Sequence, residues 1–207
     1  MTGTARLVFH VIPYSAFETK PQINLKTLEE DIWSLSLIYS SISSYRYNLD
    51  GLIAYNNKDN NSTGAYTQLY RNGIIESVST TVFNSAEGNP YIPSIVFEQE
   101  LIEALKTYIS THQKLLISPP SVLTLSLVGV RGYKLAVSQR LDAWHNHIHV
   151  IDRDSLLLPE TIIEDYAIDP AAILRPIFDA VWNSAGWPKS YGYDESGEWG
   201  KGSNFHR

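Results

Sequence analysis

Cysteine is absent from all 207 residues, which excludes disulfides, thiolate nucleophiles and Cys-ligated zinc or iron–sulfur centres. That absence suits a reducing compartment, and a cytoplasmic location is expected. Positive charge is in short supply: 16 Lys+Arg stand against 22 Asp+Glu, a formal net charge of −6. An acidic balance argues against a dedicated DNA-coating surface, because neutralised phosphates supply most of that affinity. No stretch of about 18 uncharged apolar residues occurs, and Met1–Phe9 lacks a basic segment leading into a long apolar one. Neither a membrane partner nor export is therefore expected. The phosphate-loop pattern, the Gly-x-Gly-x-x-Gly run and the Gly-x-Ser-x-Gly elbow are missing, so nucleotide hydrolysis, dinucleotide binding and serine hydrolase chemistry have no visible machinery, and no cofactor is expected. What the chain does have is 43% hydrophobic and only 18% charged residues, enough apolar surface for a folded domain.

The apolar pattern predicts a mixed fold. Ala5–Ile12 is rich in β-branched residues and ends at Pro13, as a buried first strand would. So early a strand suits either a compact domain or a piece of a longer polypeptide. From Asn24, the residues Leu25, Leu28, Ile32, Leu35 and Tyr39 recur at helical spacing and predict a first helix, after which Ser40–Asn48 breaks the pattern. Gly51–Tyr55 reads as a short strand before a polar loop over Asn56–Gly64. Ala65–Tyr70 and Ile74–Val78, joined by Arg71-Asn72-Gly73, form the sharpest signal, because Asn-Gly supplies the positive φ angles of a tight hairpin turn. Beyond Pro93, Phe97, Leu101, Ala104, Leu105, Tyr108 and Ile109 repeat at three and four, a second helix ended by Ser118-Pro119-Pro120. Leu123, Leu125 and Leu127 alternate with polar residues, Gly129–Gly132 turns the chain, and Tyr133, Leu135 and Val137 resume the alternation as a second antiparallel hairpin. Ile148–Ile163 reads as a strand or two interrupted by Pro159, and Asp169-Pro170 opens a last helix over Ala171–Ala185 that Gly186 closes.

The sum is an α+β class with a mainly antiparallel sheet and about three flanking helices, like small sensor and dimerisation domains. Residues 1–188 form one domain, and 189–207 a polar, flexible C-terminal tail. The tail aromatics Trp187, Tyr191, Tyr193 and Trp199 either anchor a partner or fold back over the last helix.

Three constellations could carry chemistry. Tyr45, Arg46, Tyr47, Arg71, Arg131 and Tyr133 place cations among aromatics, suited to an interface or ligand surface and, as an alternative, to stacking bases and clamping phosphates. His145, His147 and His149 would share one face of an extended chain and, with Asp152, could hold zinc or manganese in a metal-dependent hydrolase. Asp152, Asp154, Glu160, Glu164 and Asp165 could bind magnesium, although such ligands normally converge from separate elements, and solvent-facing positions explain them better.

Several stretches also resemble a known family: Ala5-Arg6-Leu7-Val8-Phe9-His10-Val11-Ile12-Pro13, Arg46-Tyr47-Asn48-Leu49-Asp50-Gly51, Tyr66-Thr67-Gln68-Leu69-Tyr70-Arg71-Asn72-Gly73 and Gly129-Val130-Arg131-Gly132-Tyr133. Ile151-Asp152-Arg153-Asp154, Leu156-Leu157-Leu158-Pro159-Glu160 and Pro176–Trp182 extend the likeness over most of residues 5–199. Together they are similar to the C-terminal region of prokaryotic Schlafen/AlbA-type DNA-binding (divergent ATP-binding) proteins. In that family the nucleic-acid or nucleotide function is assigned to a preceding AlbA-like module, which these residues do not include. The resemblance therefore implies an accessory domain of a prokaryotic regulatory or defence protein. No catalytic residue is carried over, and the expected partner is protein, either self or a regulatory module. The expected function is non-enzymatic: ligand sensing, dimerisation or protein interaction.

Overall fold

The structure is a computed structural model that describes residues 5–18, 23–28, 31–59, 62–84, 88–138 and 149–202. Its strands are β1 (Arg6–Pro13), β2 (Ser44–Tyr47), β3 (Gly51–Asp59), β4 (Ser62–Tyr70), β5 (Ile75–Ser79), β6 (Tyr91–Pro93), β7 (Ser121–Val128), β8 (Lys134–Ala136), β9 (Ser155–Leu157) and β10 (Thr161–Ile163). Two α-helices are found among the described residues, α1 (Ser94–Lys114) and α2 (Pro170–Ser184), rather than about three. The α+β class and the mainly antiparallel sheet are as expected. One eight-stranded sheet runs in the order β10-β7-β1-β5-β4-β3-β2, with β9 also on β7, and all its pairings are antiparallel. β9 and β10 follow one another along the same edge of β7, and Pro159, which has no N–H to donate, separates them.

Alternation decides which face of the sheet is covered. Leu7, Phe9 and Val11 of β1 lie in one layer with Leu123, Leu125 and Leu127 of β7 and Ile75 of β5, all essentially inaccessible. Here α1 lays Tyr108 against Phe9, with ring centroids 6.2 Å apart, and α2 packs on α1 through Phe178 and Phe97, also 6.2 Å apart. The first strand is thus buried on one face only, and its alternate residues Val8, His10 and Ile12 are half-exposed on the other.

The helix expected from Asn24 to Tyr39 is replaced by two short 3-10 turns, Leu25–Leu28 and Ile32–Leu35. Carbonyls that a helix would use internally are claimed from outside. Ser34 O accepts from Thr111 Oγ1 at 2.7 Å, and Ser36 O accepts from both Tyr108 OH and Thr67 Oγ1. Spacing of three and four is common to both helix types, so only these tertiary bonds distinguish them. Ser44–Tyr47, expected to be irregular, is the edge strand β2. The loop expected over Asn56–Gly64 is instead the outer end of the β3–β4 hairpin, with register shifts at Asn56/Asn57 and Asn57/Asp59.

The hairpin of β4 and β5 forms as its turn residues demand: Tyr70 N–H donates to Ile74 O at 2.8 Å, and Gly73 has φ of +91°. A methyl group on Gly73 would come within 2.8 Å of Ile117 Cδ1. Gly73→Ala is therefore expected to cost about 1–3 kcal/mol of unfolding free energy, read as a lower urea midpoint at unchanged slope. The second hairpin does not form. β8 pairs with β6 in a separate parallel ribbon, Tyr91–Pro93 beside Lys134–Ala136. The places beside β7 are taken by β1, β9 and β10, and the Gly129–Gly132 turn is held by Asp154 O and Ile151 O, which lead the chain away from the sheet.

The last helix starts where expected, with Asp169 Oδ1 accepting from Ala171 N at 3.1 Å and Pro170 in the first turn. The segment set apart as a tail lies, through Gly202, against both helices. Tyr193 OH donates to Ala171 O at 2.6 Å, while Trp187 and Tyr191 meet Trp182 edge-on. Its anchor is Glu98, 1% exposed in the second turn of α1, whose carboxylate accepts from Trp182 Nε1, Ser190 Oγ and Trp199 Nε1 at 2.6–2.8 Å. Of the two expectations for the tail aromatics, the described geometry is that of folding back.

Candidate functional site: the open face of the sheet

The face of the sheet opposite the helices receives none of the helix contacts described above. Antiparallel register arranges its residues in rows across the strands. The middle row reads Thr124, His10, Glu76, Gln68, Ile53 and Arg46; a neighbouring row reads Leu157, Ser126, Val8, Val78, Tyr66, Tyr55 and Ser44. Val122 and Ile12 lie on the far side of the middle row, with Ile162 beyond Val122. Valine, isoleucine, leucine and tyrosine dominate, and Leu157 is 82% exposed and Ile162 49%. An uncovered antiparallel sheet face is ordinarily polar, because one face is packed and the other solvated. This one is not. Of the residues in these rows only Glu76 is a carboxylate, and Arg46 is at the β2 end of its row, in a chain whose net charge is −6.

A polar centre sits within the apolar surround. His10 Nε2 lies 2.9 Å from Glu76 Oε2, and Thr124 Oγ1 lies 3.3 Å from His10 Nδ1. Tyr66 OH donates to Glu76 Oε1 at 2.7 Å, and Tyr70 OH approaches the same oxygen at 3.4 Å. With the carboxylate accepting from Nε2–H, Nδ1 accepts from the threonine hydroxyl, so one tautomer satisfies the set. Burial and the adjoining carboxylate both raise the pKa of Tyr66, in that order, and those of Tyr70 likewise, keeping both phenols protonated as donors. Carboxylate, imidazole and hydroxyl in sequence are also the parts of a nucleophilic triad. A triad further needs donors for an oxyanion and a cleft that excludes water. β1 and β5 are interior strands whose amides are committed to ladders on both sides, which leaves no backbone N–H of theirs free as an oxyanion donor. The arrangement can orient a partner's polar groups.

The structure does not gather the six sequence-derived interface residues into one place. Tyr45, Arg46 and Tyr47 are exposed on edge strand β2. Arg71, in the β4–β5 turn, donates to Leu49 O at 3.0 Å and to Asn48 O at 3.4 Å, holding the β2–β3 turn beside a groove of about 960 Å³ lined by Tyr14, Leu49 and Leu116. Arg131 lies in the turn after β7, and four strands separate β7 from β2, about 24 Å between their axes. Tyr133 is only 9% exposed and packs edge-on against Phe83, so it is a core residue. His145 and His147 of the alternative metal set lie outside the described residues. His149 and Asp152 line a shallow groove of about 740 Å³ beside Gly186, and among the described residues no group of three or more His, Asp or Glu side chains could hold a metal ion. Asp152, Asp154, Glu160, Glu164 and Asp165 are all exposed.

Sequence reasoning missed His10 and Glu76. Each sits in an apolar strand where alternation was its only signature, and the register that sets them side by side depends on a pairing of strands 66 positions apart. No helix among the described residues is long and apolar enough to cross a membrane. Comparison with protein-family models, with curated proteins and with solved structures finds no match to this chain.

Proposed function

We propose that the chain is a non-enzymatic protein-interaction domain that docks through the open face of its sheet, serving as an accessory module in a larger regulatory or defence system. One observation carries this reading: a sheet face on which no helix packs among the described residues, where rows of Val, Ile, Leu and Tyr flank a hydrogen-bonded polar row. Half-buried apolar rows that run out to the exposed Leu157 and Ile162 suit an interaction site, and a satisfied polar centre sets register without leaving an unpaired charge. The resemblance to Schlafen/AlbA-type C-terminal regions supports the same placement. Stacked nucleic acid fits less well, because Glu76 would face phosphates at the middle of the surface.

A face retained for a partner is not needed by the fold, so polar replacement there should be cheap. The triple variant Val8→Thr, Ile53→Thr and Val78→Thr keeps β-branching and is expected to hold Tm within about 5 °C of the parent in calorimetry. A loss beyond about 10 °C that is the same at every protein concentration would mean that the surface stabilises the isolated domain itself, and the docking reading would fall.

A further inference from the structure

We infer that the occupant of the open face is a second copy of this chain, stacked face to face about a two-fold axis that runs along the strands between β1 and β5. The inference rests on the docking reading above and adds the identity of the partner.

The argument is the self-complementarity of the two central strands. A two-fold axis on that line exchanges β1 with β5, β7 with β4, and the β9/β10 edge with β3, while leaving every residue in its own row. His10 of one copy then faces Glu76 of the other, twice, and Val8 faces Val78, twice. Farther out, Val122 faces Tyr70 and the exposed Leu157 faces Tyr55, so aliphatic side chains from one half of the sheet meet aromatic ones from the other. Thr124 faces Gln68 and Ser126 faces Tyr66. No like charges come into opposition. Moving the axis by half a strand to lie on β5 would place Glu76 on Glu76, and moving it the same way onto β1 would place His10 on His10; only the line between them crosses imidazole with carboxylate. The cluster already bonded within each chain thereby becomes a four-group array across the interface.

Size is adequate. Six strands at about 4.8 Å and five residues at about 3.3 Å give a projected face of about 500 Å² per copy, near the lower bound for a specific dimer. Association should accordingly be reversible and concentration-dependent. Arg46, Tyr45 and Tyr47 on β2 fall outside the overlap and stay accessible.

The absence of cysteine makes the test direct, since any introduced thiol is unique. In the proposed stack the two Val78 positions are one strand apart laterally and one sheet spacing apart vertically, about 11 Å between Cα atoms. Val78→Cys is expected to give a covalent dimer with a short bis-maleimide, whereas Leu116→Cys, exposed beyond the end of α1, is expected to give none. Sedimentation of the parent chain from about 1 to 300 µM should pass from monomer to dimer, with Val78→Lys weakening association at least about tenfold. The thiol variant is conservative and decides the matter even where the lysine variant does not fold. A parent chain monomeric throughout the range, a dimer indifferent to Val78→Lys, or equal cross-linking from both thiols would overturn the inference. If the polar triple variant keeps its Tm in the same preparation, a monomeric parent rejects the second copy alone; if Tm collapses, docking through this face is rejected with it.

Discussion

Replacing Glu98 with alanine is expected to cost about 4 kcal/mol of unfolding free energy and to detach the segment after Trp187 from the helices. The carboxylate is buried and accepts three hydrogen bonds, from Trp182 Nε1 at 2.7 Å, Ser190 Oγ at 2.6 Å and Trp199 Nε1 at 2.8 Å. Truncation leaves those donors facing a hole, and each buried unsatisfied donor costs about 1–3 kcal/mol. The close approach is shaped around the carboxylate: a Cβ on Gly192 would come within 2.2 Å of Glu98 Oε2. Urea unfolding measures the loss, and tryptophan emission reports where it acts, because two of the three donors are indoles that would lose their shared anion. A variant with parental stability and unshifted emission would show that the segment is held by its aromatic contacts instead. Burial pushes the pKa of Glu98 up, against the opposing effect of its three donors, so its contribution is largest at low pH and declines as pH rises above the ordinary carboxylate range.

The second large effect comes from His112, and its sign is opposite. This imidazole is inaccessible, with Nε2 2.9 Å from Gly73 O and Nδ1 2.9 Å from Tyr166 OH, which in turn lies 2.7 Å from Ser121 Oγ. The neutral ring satisfies this chain by donating from Nε2 and accepting at Nδ1. Protonation would bury a charge with no counter-ion, and burial pulls the pKa down from 6.5 to about 4. The unfolded chain therefore binds a proton that the native state refuses between those values. The stabilisation is complete above pH 6.5 and is lost as pH falls toward 4, by about 3 kcal/mol in all. Glu98 works against this slope above the ordinary carboxylate range, so the measurement is a difference: urea midpoints at several pH values for the parent and for His112→Gln, both carrying Glu98. The parent should lose stability faster as pH drops from 6.5 to 4. Parallel curves would show that His112 protonates without penalty.

Both effects involve residues that looked ordinary in sequence. Glu98 lies early in α1 and His112 in its last turn, and nothing in the local pattern sets either apart. Their burial follows from what lies across from them, the fold-back of Ser190–Trp199 and the tight turn at Gly73, and neither contact is local. The same holds for the 3-10 turns at Leu25–Leu28 and Ile32–Leu35, where side chains of α1 and β4 take the backbone acceptors that a helix would have kept. The parallel ribbon of β6 and β8 could not be foreseen from alternation, which says that a strand is half-buried and nothing of which neighbour it chooses.

Local chemistry alone was enough for the elements whose stabilisation is local. The Asn72-Gly73 turn, the α1 stripe from Phe97 to Ile109, the Asp169-Pro170 start of α2 and the break at Pro159 each depend on a backbone preference or a side-chain period that no distant residue overrides. The α+β class and the lack of thiol chemistry belong to the same group. Long-range register settled the rest: which strands adjoin, which face of the sheet the helices cover, and hence that His10, Glu76 and their apolar neighbours share the face on which no helix packs among the described residues. A period of two assigns residues to opposite sides of a strand, but only packing against α1 and α2 determines which side meets water.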